Sequence, residues 1–156
     1  VSQPETLDGY PNEDKALLML HSVNKKAQGL IQQLEQRYPT DEGIKLLVER
    51  YQPDRLYEGT PGADDFTYTE DKGEKIVLCL RNAKTKELHT ENLVMFPLIH
   101  ELAHLCDKEH DPNHGDNFKK YFKILLDEAT EMGIYLKENF ERNPVEYCGL
   151  PITQNP

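Results

Sequence analysis

Cysteine is scarce in this sequence: Cys79, Cys106 and Cys148 are the only three among 156 residues. An odd, sparse set with no C-x-x-C pair describes neither a disulfide framework nor a cysteine-based zinc knuckle. Free thiols in a reducing intracellular compartment are the expectation. Long apolar runs are missing too. None approaches the roughly 20 residues that cross a bilayer, so no membrane segment is expected within the chain. Basic residues are outnumbered, 18 Lys and Arg against 28 Asp and Glu, for a formal net charge of −10. Such a surface repels phosphate backbones. The local pairs Lys25-Lys26 and Lys119-Lys120 fit solvated helix faces, so direct nucleic-acid binding by this domain is not expected.

What is present suits a globular protein. Hydrophobic residues make up 37% and charged residues 29%, in a length that fits one domain with its own core. Residues 1–12 are polar and aperiodic and read as a flexible lead-in, with residues 13–156 as a single domain. Asn12 is placed to cap a helix that starts at Glu13. Ala16, Leu17, Leu20, Val23, Ala27, Leu30, Ile31 and Leu34 recur at helical spacing over residues 13–37. Pro39 breaks that helix. Thr40 caps a shorter one over residues 41–51, with Ile44, Leu47 and Val48 on its apolar face.

Strands come next. "RLYEG" is a short one, and "DDFTYTED" alternates as a half-buried strand does. "EKIVLCLRN" is the most strand-like segment. Its continuous apolar run predicts cover on both faces. A helix follows from Glu91 to Cys106, with Pro97 inside it as a source of a kink or of a later start near Phe96. Asp111-Pro112 predicts the opening of the last helix, and Gly133 its end. The tail carries Phe140, Val145, Tyr147, Leu150 and Ile152, so it is expected to pack back on the body. The fold class is α+β: N-terminal helices, a small mainly antiparallel sheet, then two more helices.

Chemistry concentrates in "HELAHLCDKEHDPNHGDNF", residues 100–118, which holds four of the six histidines. His100 and His104 are four apart, so on a helix they share one face and converge on one point. Neutral imidazoles at that spacing suit tetrahedral zinc. Glu101 lies about 100° round the helix from His100. It can reach a water at the metal without being a ligand, and can take the proton of that water as it attacks a carbonyl.

A zinc site of this kind needs a third protein ligand. His110, with five residues between it and His104, has the metzincin spacing, but Asp107 stands where that pattern has glycine. His114, with nine residues in the interval, falls in the first turn of the predicted last helix. There it aligns with Phe118, Phe122, Leu125, Ala129 and Met132 and faces inward. Glu128, three turns along, is a further alternative. For the oxyanion of an acyl-transfer step, Tyr135, Tyr147 and Arg81 are candidate donors. The ordinary readings are a packed tyrosine for the first two and a solvated arginine for the third.

"HELAHL…PNHGDNF" resembles the zincin peptidases of the WLM and SprT/Spartan type. In these an H-E-x-x-H helix is followed by a histidine that opens the next helix, with an aromatic residue four further on. "GEKIVLCLRN…NLVMFPLIHELAH" and "NPVEYCG" are similar to metallopeptidase-like proteins of large DNA viruses and protists. The resemblance covers residues 66–150 and is most specific over 92–122. It implies a single zincin-like domain with one catalytic zinc held by His100, His104 and His114, and Glu101 as general base. It also implies that residues 75–81 form an edge strand pairing with an extended peptide. Members of these families act on proteins crosslinked to DNA; for this acidic chain the expected substrate is protein or peptide. Two other readings stand beside this one. One is a zinc amidase or deformylase-like hydrolase of a small substrate. The other is a non-catalytic, metal-stabilised binding domain.

Overall fold

A computed structural model describes residues 9–51, 56–59, 68–70, 75–107, 115–137, 142, 145–147 and 150–152. Among these residues the elements are, in order, α1 (Glu13–Arg37), α2 (Glu42–Arg50), β1 (Leu56–Gly59), β2 (Tyr68–Glu70), β3 (Lys75–Cys79), α3 (Glu91–Leu105), α4 (Asp116–Glu131), β4 (Val145–Tyr147) and β5 (Leu150–Ile152). This is the expected α+β architecture.

The periodicity of α1 is realised closely. Ala16, Leu20, Val23, Ala27, Leu30, Ile31 and Leu34 are all buried against the other helices and the sheet. The caps differ from expectation. Asn12 takes a left-handed conformation, φ 58° and ψ 40°, and its side chain makes no capping bond. Its carbonyl accepts from Ala16 instead. For α2 the cap is Asp41 rather than Thr40, its carboxylate accepting from the Ile44 N–H at 3.1 Å. The acceptor must sit where the backbone is still extended, and here that is one residue later than Thr40.

Asp41 also joins α2 to α4. The Tyr121 hydroxyl donates to Asp41 Oδ1 at 2.7 Å and accepts from the Gly43 N–H at 3.2 Å. So close an approach requires glycine, because a Cβ at position 43 would overlap the Tyr121 ring. Gly43→Ala is therefore expected to cost about 1–3 kcal/mol through overpacking, read as a lower urea midpoint with unchanged slope. Ion pairs fasten the other helices: Lys26 with Glu91 between α1 and α3, and Arg37 with Glu128 between α1 and α4 at 3.0 Å.

The main sheet has the order β1-β3-β2, with β1 parallel and β2 antiparallel to β3. β4 and β5 form a separate antiparallel hairpin, so two of the three strand pairs are antiparallel. Residues 76–80 are buried throughout, as their unbroken apolar run predicts. However, β3 is the central strand. That corrects the expectation of an edge strand at 75–81: both of its sides are already paired, and among the described residues β2 ends the sheet. The tail does return to the body at Tyr147. Its hydroxyl donates to the Cys79 carbonyl at 2.6 Å, and its ring lies 5.3 Å from that of His89. Phe140 lies outside the described residues.

α3 starts at the Thr90 cap, whose side chain accepts from the Leu93 N–H at 3.3 Å, and runs through Pro97 to Leu105. Pro97 neither delays the start nor ends the helix. α4 stops as expected: Gly133 adopts φ 77°, and the N–H groups of Gly133 and Ile134 bond back to Thr130 and Ala129. No helix among the described residues is long and apolar enough to cross a membrane.

Candidate metal centre

α3 is apolar almost all round. Leu93, Val94, Met95, Leu98, Ile99, Leu102, Ala103 and Leu105 are buried, which marks a central helix rather than a surface one. Two polar side chains are buried in the same helix, with Glu101 only 5% and His104 only 8% exposed. Groups of this kind cost free energy in an apolar setting unless partners compensate them.

One helical turn brings His104 beside His100. Their ring centroids are 4.9 Å apart, with planes at 77°. A ligating nitrogen from each imidazole and a carboxylate oxygen of Glu101 all lie within 4.8 Å of one another. The His100 side chain is 31% exposed, so the group has an open side. Its Nδ1 is 2.9 Å from Glu101 Oε2. An ionised carboxylate only accepts, so in that contact Nδ1 donates, and in the neutral imidazole this leaves the lone pair on Nε2.

α4 supplies an aromatic wall. The Phe118 ring lies 4.4 Å from His104 and 5.0 Å from His100, and Phe122 lies 5.5 Å from His100. Phe96 of α3 then packs edge-on against Phe122 at 5.6 Å. Sequence spacing puts Phe118 and Phe122 on the inward face but does not reveal that they pack on the histidines. The four-residue interval between them is the available signal. Two imidazole nitrogens and a carboxylate oxygen are ordinary zinc donors, and an apolar wall strengthens electrostatic interactions beside it. The donor set therefore fits a metal.

His110 and His114 both lie outside the described residues. α4 begins at Asp116, with Gly115 as an extended N-cap. The start expected at Asp111-Pro112 is therefore not that of α4, which begins two residues after His114. Glu128 is engaged elsewhere: it is buried and accepts from Arg37 at 3.0 Å. Among the described residues, the one group that could hold an ion is His100, Glu101 and His104.

The candidate oxyanion donors have structural duties. Arg81 is fully buried rather than solvated, and its Nε donates to Glu58 Oε2 at 2.6 Å. Tyr147 is held by the Cys79 carbonyl, and Tyr135 is buried with its ring 6.3 Å from Phe96. Cysteine also needs correction. Cys79 is disulfide-bonded and Cys106 is free, so not all three are thiols. Cys148 lies outside the described residues. Burial, followed by the charge of Asp41, pushes the Cys106 thiol up despite nearby Arg50. The protonated thiol donates to the Leu102 carbonyl at 3.6 Å, a packing role beside the site.

An α+β domain whose buried central helix gathers two imidazoles and a carboxylate is metallopeptidase-like. Comparison with known proteins makes this specific. The WLM domain family model matches residues 1–150, and the chain belongs to that family. An uncharacterized protein of Acanthamoeba polyphaga mimivirus is 35% identical over 153 residues, covering 96% of this chain and 77% of that protein. An uncharacterized protein of Invertebrate iridescent virus 6 is 30% identical over 146 residues, covering 85% and 71%. Among solved structures, Wss1 from S. pombe is 28% identical with a TM-score of 0.55, covering 82% of this chain and 91% of that one. Wss1 from Saccharomyces cerevisiae, at 18% identity, shares the fold with a TM-score of 0.64 over 85% of this chain and 92% of its own.

Proposed function

We propose that this protein is a zinc-dependent peptidase of the zincin type, hydrolysing peptide bonds of a protein substrate. The observation that carries the reading is the His100–Glu101–His104 group, with ligand atoms within 4.8 Å on a buried helix. His100 and His104 would hold the zinc with a third histidine, His114 by family resemblance and His110 as the alternative. When bound, zinc supplies a Lewis acid that polarises the scissile carbonyl and lowers the pKa of water toward 7. Glu101 acts as general base: its carboxylate accepts the proton of the attacking water and passes it to the leaving amine. His100 holds that carboxylate in place through Nδ1. The Phe118 and Phe122 rings exclude bulk water from one side of the histidines.

Substrate alignment belongs to β2 in this reading. Among the described residues β2 ends the main sheet, and it runs antiparallel to β3, so an extended peptide can add to its outer edge by main-chain hydrogen bonds. The net charge of −10 favours a protein substrate approached without direct nucleic-acid contact.

Metal analysis tests the reading first. Purified, unchelated protein is expected to carry close to one equivalent of zinc, and peptide cleavage should stop on chelation and return with added zinc. Less than about half an equivalent would sink the proposal. Full zinc with no cleavage of any protein or peptide would favour the metal-stabilised binding domain. Turnover confined to small amides would favour the amidase.

A further inference from the structure

α2 ends against the end of α3. Arg50, in the last turn of α2, uses one guanidinium nitrogen, Nη1, to donate to the Leu105 carbonyl at 3.0 Å and the Asp107 carbonyl at 2.9 Å. The last four carbonyls of a helix lack partners in the regular ladder. In α3 these belong to Leu102, Ala103, His104 and Leu105. Leu102 accepts from Cys106 Sγ, Ala103 from the Cys106 N–H, and His104 from the Asp107 N–H. Leu105 is met from another element, by Arg50. Its positive charge also faces the negative end of the helix dipole, one residue beyond His104.

The other end of α2 is fixed as well. Asp41 and Gly43 bond the Tyr121 hydroxyl of α4, one turn beyond the Phe118 ring that packs on His104. α2 is thus a strut between the start of α4 and the finish of α3, the two helices that flank the metal centre. Asp107, where Arg50 takes its second hold, is buried. The chain that follows Asp107 carries both candidate third ligands.

We propose that Arg50 is a positioning residue of the metal centre. It clamps the point at which the chain leaves the H-E-x-x-H helix, and so fixes the last turn of α3, which carries His104. This rests on the zinc reading above. Arg50 itself touches neither metal nor substrate, so its effect appears in metal affinity before it appears in fold stability.

The test is the zinc affinity of apo-protein, by competition with a chelator of known affinity, with apo thermal stability recorded in parallel. Loss of outer-shell support weakens metal binding about 10- to 100-fold. Arg50→Ala is expected in that range, and Arg50→Lys, which keeps charge and donors on a shorter reach, should recover most of it. Arg37→Ala is the control. It breaks the ion pair to Glu128 and should lower apo stability without changing zinc affinity. Should Arg50→Ala fail to fold, Arg50→Gln carries the same comparison. The proposal is overturned if Arg50→Ala binds zinc within about twofold of wild type, given that outer-shell losses run larger. It is overturned equally if Arg37→Ala loses as much affinity at matched destabilisation. Wild-type protein that takes up no zinc overturns the metal reading and this inference together. Normal wild-type loading with an indifferent Arg50→Ala overturns this inference alone.

Discussion

Glu101→Gln is expected to retain a full equivalent of zinc and to lose two to four orders of magnitude in peptide cleavage, the usual worth of a positioned general base. That is roughly 3–5 kcal/mol at the barrier. The amide keeps the shape of the carboxylate, and its oxygen can still accept from His100 Nδ1, now 2.9 Å from Glu101 Oε2. Ring orientation, and with it metal binding, should survive. What the variant cannot do is accept the proton of the attacking water. Stability should not fall either. Glu101 is 5% exposed, and the amide is isosteric and keeps an oxygen for the His100 bond, so no acceptor is lost from that contact. Three measurements belong together: zinc content, cleavage rate on an unstructured protein, and thermal midpoint. Cleavage within about tenfold of wild type, with zinc retained, would remove Glu101 from the base role.

That prediction uses what was most readable in the sequence. H-E-x-x-H needs only the pitch of a helix to be interpreted, and a helix is what residues 91–105 form. The core face of α1 was readable for the same reason, since burial at Leu20, Val23, Leu30 and Leu34 follows from local spacing. The end signals were weaker. Asn12 and Thr40 are good capping residues by type, but a cap depends on the backbone angle at one position, and Asn12 went left-handed while Asp41 took the place of Thr40. Asp111-Pro112 gave a helix-start signal that α4 does not use. The apolar run of β3 announced that both its faces are covered but carried nothing about its neighbours. Strand order comes from long-range pairing, which no local pattern encodes. Arg50 had no signal of its own. A basic residue in a helix's last turn complements its own dipole, and only tertiary packing shows that this one serves the helix alongside. The bridge at Cys79 was hidden by the same limit, since an odd count of cysteines does not reveal which of them meet.

His114→Ala is expected to abolish zinc retention, while His110→Ala leaves it near one equivalent. The geometry of the described residues bears on this through connectivity. α4 starts at Asp116, its N-cap Gly115 is the residue after His114, and its first turn brings the Phe118 ring to 4.4 Å from His104. One residue spans at most about 3.6 Å of chain, and His114 is the residue next to that N-cap in the sequence. His110 has no such neighbour in the sequence. It stands three residues beyond Asp107, where Arg50 holds the chain, and five before Gly115. Apparent zinc affinities of small metal-dependent domains are on the order of 10–16 kcal/mol. Shared among three protein ligands, that puts the loss of one at about two to four orders of magnitude in affinity. Such a loss separates a stripped protein from a loaded one after simple dialysis. Elemental analysis of the two variants decides between them, with circular dichroism to show that both remain folded. The reverse pattern would give the place to His110 and the metzincin spacing. Loss in both variants would make the two histidines joint members of a closed four-ligand shell, and so support the structural, non-catalytic site over the peptidase.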